Sequence, residues 1–197
     1  MKQIDYYFTH ASPWSFLGHA RFRAMAAKAG AEAIYRPVDF GAIFPQSGGL
    51  PLRKRAPQRQ AYRLVELRRW SAHLGVPLTI EPKFFPVDDA PAARLLIAAQ
   101  QAGHPVADLA GALMAMVWQN ERDLAADETL VDAAGSVGLD GPALLAASKR
   151  PATAETHATF TQDAMARGVF GAPTYIYRDE LFWGQDRLDF LERALAS

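Results

Sequence analysis

The stretch Tyr6-Tyr7-Phe8-Thr9-His10-Ala11-Ser12-Pro13-Trp14-Ser15-Phe16-Leu17-Gly18 constrains this chain more than any other. An aromatic, β-rich run stops at Ser12, and a helical pattern begins almost at once. A strand, a tight loop and a helix start in that order build an anion-binding pocket. The first-turn N–H groups of such a helix have no partners within it, and its dipole favours negative charge. Ser12 suits the N-cap, and Pro13 suits the first helical position, where its missing N–H costs nothing. The same spacing would be a redox C-x-x-C pair if both serines were cysteines, yet the sequence contains no cysteine. A disulfide framework, a thiolate metal site and thiol–disulfide catalysis by the chain itself are therefore excluded.

Residues 4–9 read as a first strand, apolar on both faces as in a buried sheet. Residues 16–29 read as a helix that Gly30 can stop, and 33–38 as a second short strand with Pro37 at its edge or end. Together they predict a βαβ unit with parallel strands. From 41 to about 57 the composition shifts to Gly, Pro, Gln and Ser and runs through the basic cluster Arg53-Lys54-Arg55, which predicts a long loop. Helical patterns follow at 58–74, 90–102, 108–125 and 142–149, with a shorter one at 128–135 and a last one at 153–168. An irregular aromatic link, Pro82-Lys83-Phe84-Phe85-Pro86-Val87, interrupts them. The chain ends as strand 174–177, turn 178–180, antiparallel strand 181–183 and amphipathic helix 187–196. The expected fold is α/β, with order βαβ, helices, ββα. A mixed four-stranded sheet in a frame of residues 1–43 and 166–197 would carry an all-α insertion at 44–165.

The 21 basic residues match the 21 acidic ones, which argues against nucleic acid as a partner. No apolar run reaches the roughly 18 residues needed to span a bilayer, so no membrane partner is expected. Met1 leads directly into a strand without the regions of a signal peptide, and a cytoplasmic location is the expectation. His10, His19, His73, His104 and His157 have no metal-binding spacing, so no metal site is expected.

Four segments in the right order carry a resemblance that covers essentially the whole chain. They are Phe8 to Ser15 as quoted above, Gly41-Ala42-Ile43-Phe44, Gly168-Val169-Phe170-Gly171-Ala172-Pro173, and Trp183-Gly184-Gln185-Asp186-Arg187. The chain resembles the thioredoxin-fold disulfide-oxidase superfamily, and within it the cysteine-free branch of 2-hydroxychromene-2-carboxylate isomerases and kappa-class glutathione transferases. The resemblance implies a thioredoxin-like fold, bound glutathione and a homodimer. It also implies that Ser12 donates a hydrogen bond to the glutathione sulfur. Pro173 would be cis, Ala172 would pair its backbone with the tripeptide, and Trp183, Gly184, Gln185 and Asp186 would hold the γ-glutamyl end.

The residues themselves support part of this. A serine hydroxyl is too weak an acid to attack unaided, and no histidine–acid relay can be read around Ser12. Beside a helix N-terminus, though, Ser12 can favour an external thiolate, the effect that lowers a cysteine's pKa in that place. Asp186 can N-cap the last helix or receive a ligand ammonium. Trp183 reads as core rather than ligand-stacking. Among the cations, Arg59 is the preferred receptor for an anion, with Arg53, Lys54, Arg55 and Arg63 around it. His10 can carry a proton or simply pack at the strand end. In the isomerases a lysine and an asparagine, the lysine associated with the aromatic acid substrate, occupy the places where Pro45 and Gly49 stand here. The expected function is a glutathione-dependent isomerase acting on a small aromatic or conjugated acid. A glutathione transferase and a non-catalytic glutathione-binding protein are the alternatives.

Overall fold

Strand β1, Lys2–Phe8, lies between two partners, and the molecule, described over residues 2–197 by a computed structural model, is built outward from it. On one side β2, Ala31–Pro37, runs parallel in the register Lys2 with Ala31 to Phe8 with Pro37. On the other β3, Thr174–Tyr177, runs antiparallel with Tyr7 opposite Thr174. Strand β4, Glu180–Trp183, closes the β2-β1-β3-β4 order as an antiparallel edge. Helix α1, Pro13–Lys28, makes the crossover between the two parallel strands. The mixed four-stranded sheet and the element order are those expected from the sequence.

Alternation along β1 sends Ile4, Tyr6 and Phe8 to one face and Tyr7 to the other, all fully buried. The first face is aromatic. Tyr6 stacks on Tyr175 at 5.2 Å and meets Phe22 of α1 at 4.7 Å. Helix α9, Leu188–Ala196, covers the same face through Leu188, Leu191 and Leu195. The cluster continues into helices α4 (Ala90–Gln101), α5 (Ala107–Trp118), α6 (Asp127–Ser136) and α7 (Gly141–Ser148). At roughly 1.5–3 kcal/mol for each large apolar side chain removed from water, this face dominates the stability of the chain.

The second face is smaller and partly charged. Helices α2 (Phe40–Ser47) and α8 (Pro151–Ala166) cover Tyr7 and Ile176 with Ile43 and Ala164. The Tyr7 hydroxyl donates to Asp163 at 2.5 Å and accepts from Arg167 at 2.9 Å. Arg36 and Arg167 bracket Asp5 at 2.8 and 2.7 Å. Burial alone would raise the Asp5 pKa, but these two guanidinium groups outweigh it and hold the carboxyl below its usual range.

Two expectations are corrected. The expected loop at 41–57 contains α2, with Pro45 inside it, and then a 3-10 turn at Leu52–Lys54. The helix forms because Asp39 caps it by accepting from the Gly41 N–H at 2.7 Å and because Phe40 and Ile43 are buried. That burial outweighs the cost of an internal proline. The helix expected at 108–125 ends at Trp118. The Trp118 carbonyl accepts from the Thr79 N–H and the Met116 carbonyl from the Arg122 N–H, both at 2.7 Å, so the chain turns back there. The remaining helix of this segment is α3, Pro57–Leu74.

Candidate active site

The sheet register brings three separate pieces of chain to one end. The C-terminal end of β1 leads into the Ser12 loop, the N-terminal end of β3 follows Pro173, and Trp183 pairs with Thr174. The Ala172–Pro173 peptide is cis, as the resemblance implied, and the Pro173 carbonyl accepts from the Gly184 N–H at 2.8 Å. Gly184 sits at a φ of 102°, a backbone shape that side chains resist, and starts the turn through residues 185–187.

Ser12 is the N-cap of α1: its Oγ accepts from the Ser15 N–H at 3.2 Å, and Pro13 takes the first helical position. This uses a lone pair of the hydroxyl and leaves its proton for an acceptor outside the loop. No acidic residue lies in the first turn of α1, so no carboxylate there opposes the positive end of the helix.

The loop is held by a residue that local reading passed over. One oxygen of Asp89 accepts from the Thr9 hydroxyl, from the His10 N–H at 2.9 Å and from the Ala11 N–H at 3.4 Å. Its desolvation would raise its pKa. The His10 ring 3.7 Å away, the Thr9 hydroxyl and the Ala11 N–H more than compensate and keep the carboxyl below its ordinary value. The sequence signal was present as Asp88-Asp89 before Ala90-Pro91, which reads as a helix cap. Asp88 accepts from the Ala90 N–H at 3.0 Å, whereas Asp89 makes no cap hydrogen bond to its own helix and reaches the loop instead. His10 is fully buried, edge-on to Phe8 at 5.1 Å, and its carbonyl accepts from the Trp118 indole N–H at 3.2 Å. It is therefore placed as a packed strand-end residue.

The turn after β4 docks against α1. Gln185 is 2% exposed and its side-chain oxygen accepts from Arg21 at 3.2 Å. A Cβ on Gly18 would come within 2.6 Å of the Gln185 Cβ, so only glycine lets the turn approach this closely. Two readings change here. Trp183, expected in the core, is 50% exposed and packs on Phe170 at 4.8 Å. β4 is an edge strand, and alternation buries Phe182 and turns Trp183 outward. Asp186 does not cap α9, whose N-cap is Arg187, and instead accepts from the Arg187 guanidinium at 2.6 Å. Arg59 lies exposed on α3, while Arg63, one turn on, is half-buried. Among the described residues, no group of three His, Cys, Asp or Glu could hold a metal ion, and no helix is long and apolar enough to cross a membrane.

A mixed β2-β1-β3-β4 sheet with α1 rising from its central strand beside a cis-proline bend defines a thioredoxin-fold protein. Residues 3–196 match the DSBA-like thioredoxin domain, and the chain belongs to that family, in its branch of 2-hydroxychromene-2-carboxylate isomerases and kappa-class glutathione transferases. A relative from Sphingobium xenophagum named 2-hydroxychromene-2-carboxylate isomerase is 33% identical over 195 residues, covering 98% of each chain. Glutathione S-transferase kappa 1 of Caenorhabditis elegans is 22% identical over 206 residues, covering 97% of this chain and 89% of that one. A solved structure of a 2-hydroxychromene-2-carboxylate isomerase superposes with a TM-score of 0.83 at 26% identity, covering 98% of this chain and 94% of the other.

Proposed function

We propose that this protein is a glutathione-dependent isomerase of a conjugated oxo-acid. The observation that carries the reading is Ser12: a hydroxyl with a free proton at the start of α1, in a chain without a cysteine. Glutathione, when bound, supplies a thiolate that adds to a conjugated carbon–carbon double bond and leaves again after rotation, with no net transfer of atoms or electrons. Ser12 donates to the sulfur and, with the α1 N-terminus, favours its deprotonated form. The half-buried Ala172 backbone offers an edge for an extended peptide, and the Asp186 carboxylate, with one oxygen engaged by Arg187, keeps the other for an ammonium. Gln185 contributes by holding this turn on α1, since its side chain is engaged by Arg21. The names of the isomerase relatives support the reaction class.

The residues fit a thiol tripeptide in one further respect. Trp183 and Phe170 form an exposed aromatic pair beside the Pro173 bend, which an extended ligand would cover. A cytoplasmic homodimer belongs to the same reading, with the exposed Tyr62 and Val65 of α3 as the surface open to a second copy.

The test is Ser12→Ala with calorimetry and turnover side by side. Turnover should fall about a hundredfold, the cost of removing one preorganised donor to a developing charge, while glutathione still binds. Unchanged turnover removes Ser12 from the reaction. The transferase relative, together with Pro45 and Gly49, favours a second reading in which the thioether product is retained. Mass balance separates the two: recovered glutathione marks isomerisation, and an accumulating conjugate marks transfer.

A further inference from the structure

Arg53, Lys54, Arg55, Arg59 and Arg63 gather where the chain enters α3. Among the described residues, none of the five forms an ion pair. Four of them differ from Arg63 in an important way. Arg53, Lys54 and Arg59 are exposed, where water and salt screen a charge, and Arg55 spends its Nε on the Leu50 carbonyl at 2.8 Å. Arg63 is half-buried, with its guanidinium carbon 5.0 Å from the centre of the Phe85 ring and its Nη2 shut away from solvent without a partner. Burial and the neighbouring Arg55 pull its pKa down to about 10, with Glu81 opposing them, so it remains a cation at neutral pH.

A guanidinium with one nitrogen desolvated and unpaired costs stability, and contact with an aromatic face offsets only part of that cost. Such a group is explained if its counter-charge arrives with a ligand. Its position supports this. Phe85 packs on Trp118 at 5.0 Å, and the Trp118 indole holds the carbonyl of His10, two residues before Ser12. Arg63 is thus joined to the Ser12 loop by a continuous path of contacts through Phe85 and Trp118.

We propose that Arg63, not Arg59, is the receptor for a ligand carboxylate at the Ser12 site. The flat guanidinium, held against Phe85, is preset for a carboxylate in a way that a solvated lysine or arginine is not. The inference rests on reading that site as one that binds glutathione and an acid. The carboxylate belongs either to the tripeptide or to the co-substrate.

Wild type, Arg63→Lys and Arg63→Met are titrated calorimetrically with glutathione, with cinnamate and with methyl cinnamate, and their melting temperatures are compared. Arg63→Met should weaken one of the two acids at least tenfold and leave the neutral ester unchanged. Loss on the glutathione arm assigns the tripeptide carboxylate, and loss on the cinnamate arm assigns the co-substrate. Arg63→Lys should recover part of the affinity. The melting temperature of Arg63→Met should not fall, because the substitution removes an unpaired buried cation. Affinities within twofold for both acids, equal losses for acid and ester, or a lowered melting temperature with all ligands weakened would overturn the proposal. If wild type binds cinnamate but not glutathione, the reading of the site fails while the cinnamate arm still judges Arg63. Binding of neither overturns both.

Discussion

Helices α3 and α4 are neighbours in sequence and meet the molecule in opposite ways. α4, with 12 residues, buries Leu95, Leu96 and Ile97 along with four alanines, so almost its whole circumference is packed. α3, with 18 residues, buries Leu67 alone and leaves Tyr62 and Val65 exposed. The core accounts for α4. It does not account for α3, which supplies Arg59 and the half-buried Arg63. Within one stretch between β2 and β3, some helices are held by apolar burial and another is kept largely outside it, carrying charge. This division makes substitutions on the packed side expensive and those on the α3 surface cheap.

The largest effect is expected at Trp118, the last residue of α5. It is fully buried, packs on Phe85 and donates to the His10 carbonyl. Trp118→Ala should cost about 3–5 kcal/mol in urea unfolding, since truncation leaves both a cavity and an unpaired carbonyl. A loss below about 1 kcal/mol would dissolve the contrast with α3.

The next effect appears in pH. His19 on α1 is 5% exposed, donates from Nε2 to the Ala107 carbonyl at 2.9 Å as α5 begins, and has its pKa pushed down by burial from 6.5 to about 4. The unfolded chain therefore takes up a proton at this residue before the folded chain does. Its contribution is complete above about pH 6.5 and is lost as pH falls towards about 4, by roughly 3 kcal/mol in all. Urea midpoints should drop across that window in wild type and drop less in His19→Gln. Equal slopes in the two proteins would show that the packing of α1 on α5 does not hold the imidazole neutral.

A smaller effect is expected where the packed helices meet the candidate site. Asp89→Asn keeps one acceptor oxygen for Thr9, His10 and Ala11 but removes the charge that strengthens those bonds. A loss of about 1–2 kcal/mol in urea unfolding is expected at pH 7. It should shrink as pH falls through the ordinary aspartate range, where the unfolded chain takes up the proton first, and vanish only once the folded wild-type carboxyl, held below that range, is protonated as well.

Asp89 also marks where sequence reading stops. The Ser12 cap, the Pro13 start of α1 and the ββα ending were legible because each is decided within a few residues. The loop that Asp89 organises lies 80 residues earlier in the chain, and nothing local distinguishes a carboxylate that caps its own helix from one that reaches so far. Helix α2 is not legible locally for a related reason. Its composition argues for a loop, and only the burial of Phe40 and Ile43, with Thr161 of α8 accepting the Asp39 N–H at 3.0 Å, makes it a helix. The residue type of Trp183 suggests core, whereas its edge strand turns it out. In the basic cluster, sequence shows five like charges, and only the fold shows that one of them is desolvated.

The smallest effect sharpens the comparison most. Tyr62 is 58% exposed on α3, and in an isolated chain Tyr62→Ala should change the unfolding free energy by no more than about 0.5 kcal/mol. The same substitution tests the proposed homodimer, because Tyr62 and Val65 lie three residues apart on one helical face, where side chains are neighbours. A face covered by a second copy would make stability rise with protein concentration, and Tyr62→Ala would then cost several times more at high concentration than at low. Urea midpoints measured over a hundredfold range of concentration separate the two cases. A flat profile with a small loss leaves α3 as a solvated carrier of charge, whereas a steep one makes its exposed residues the core of an interface.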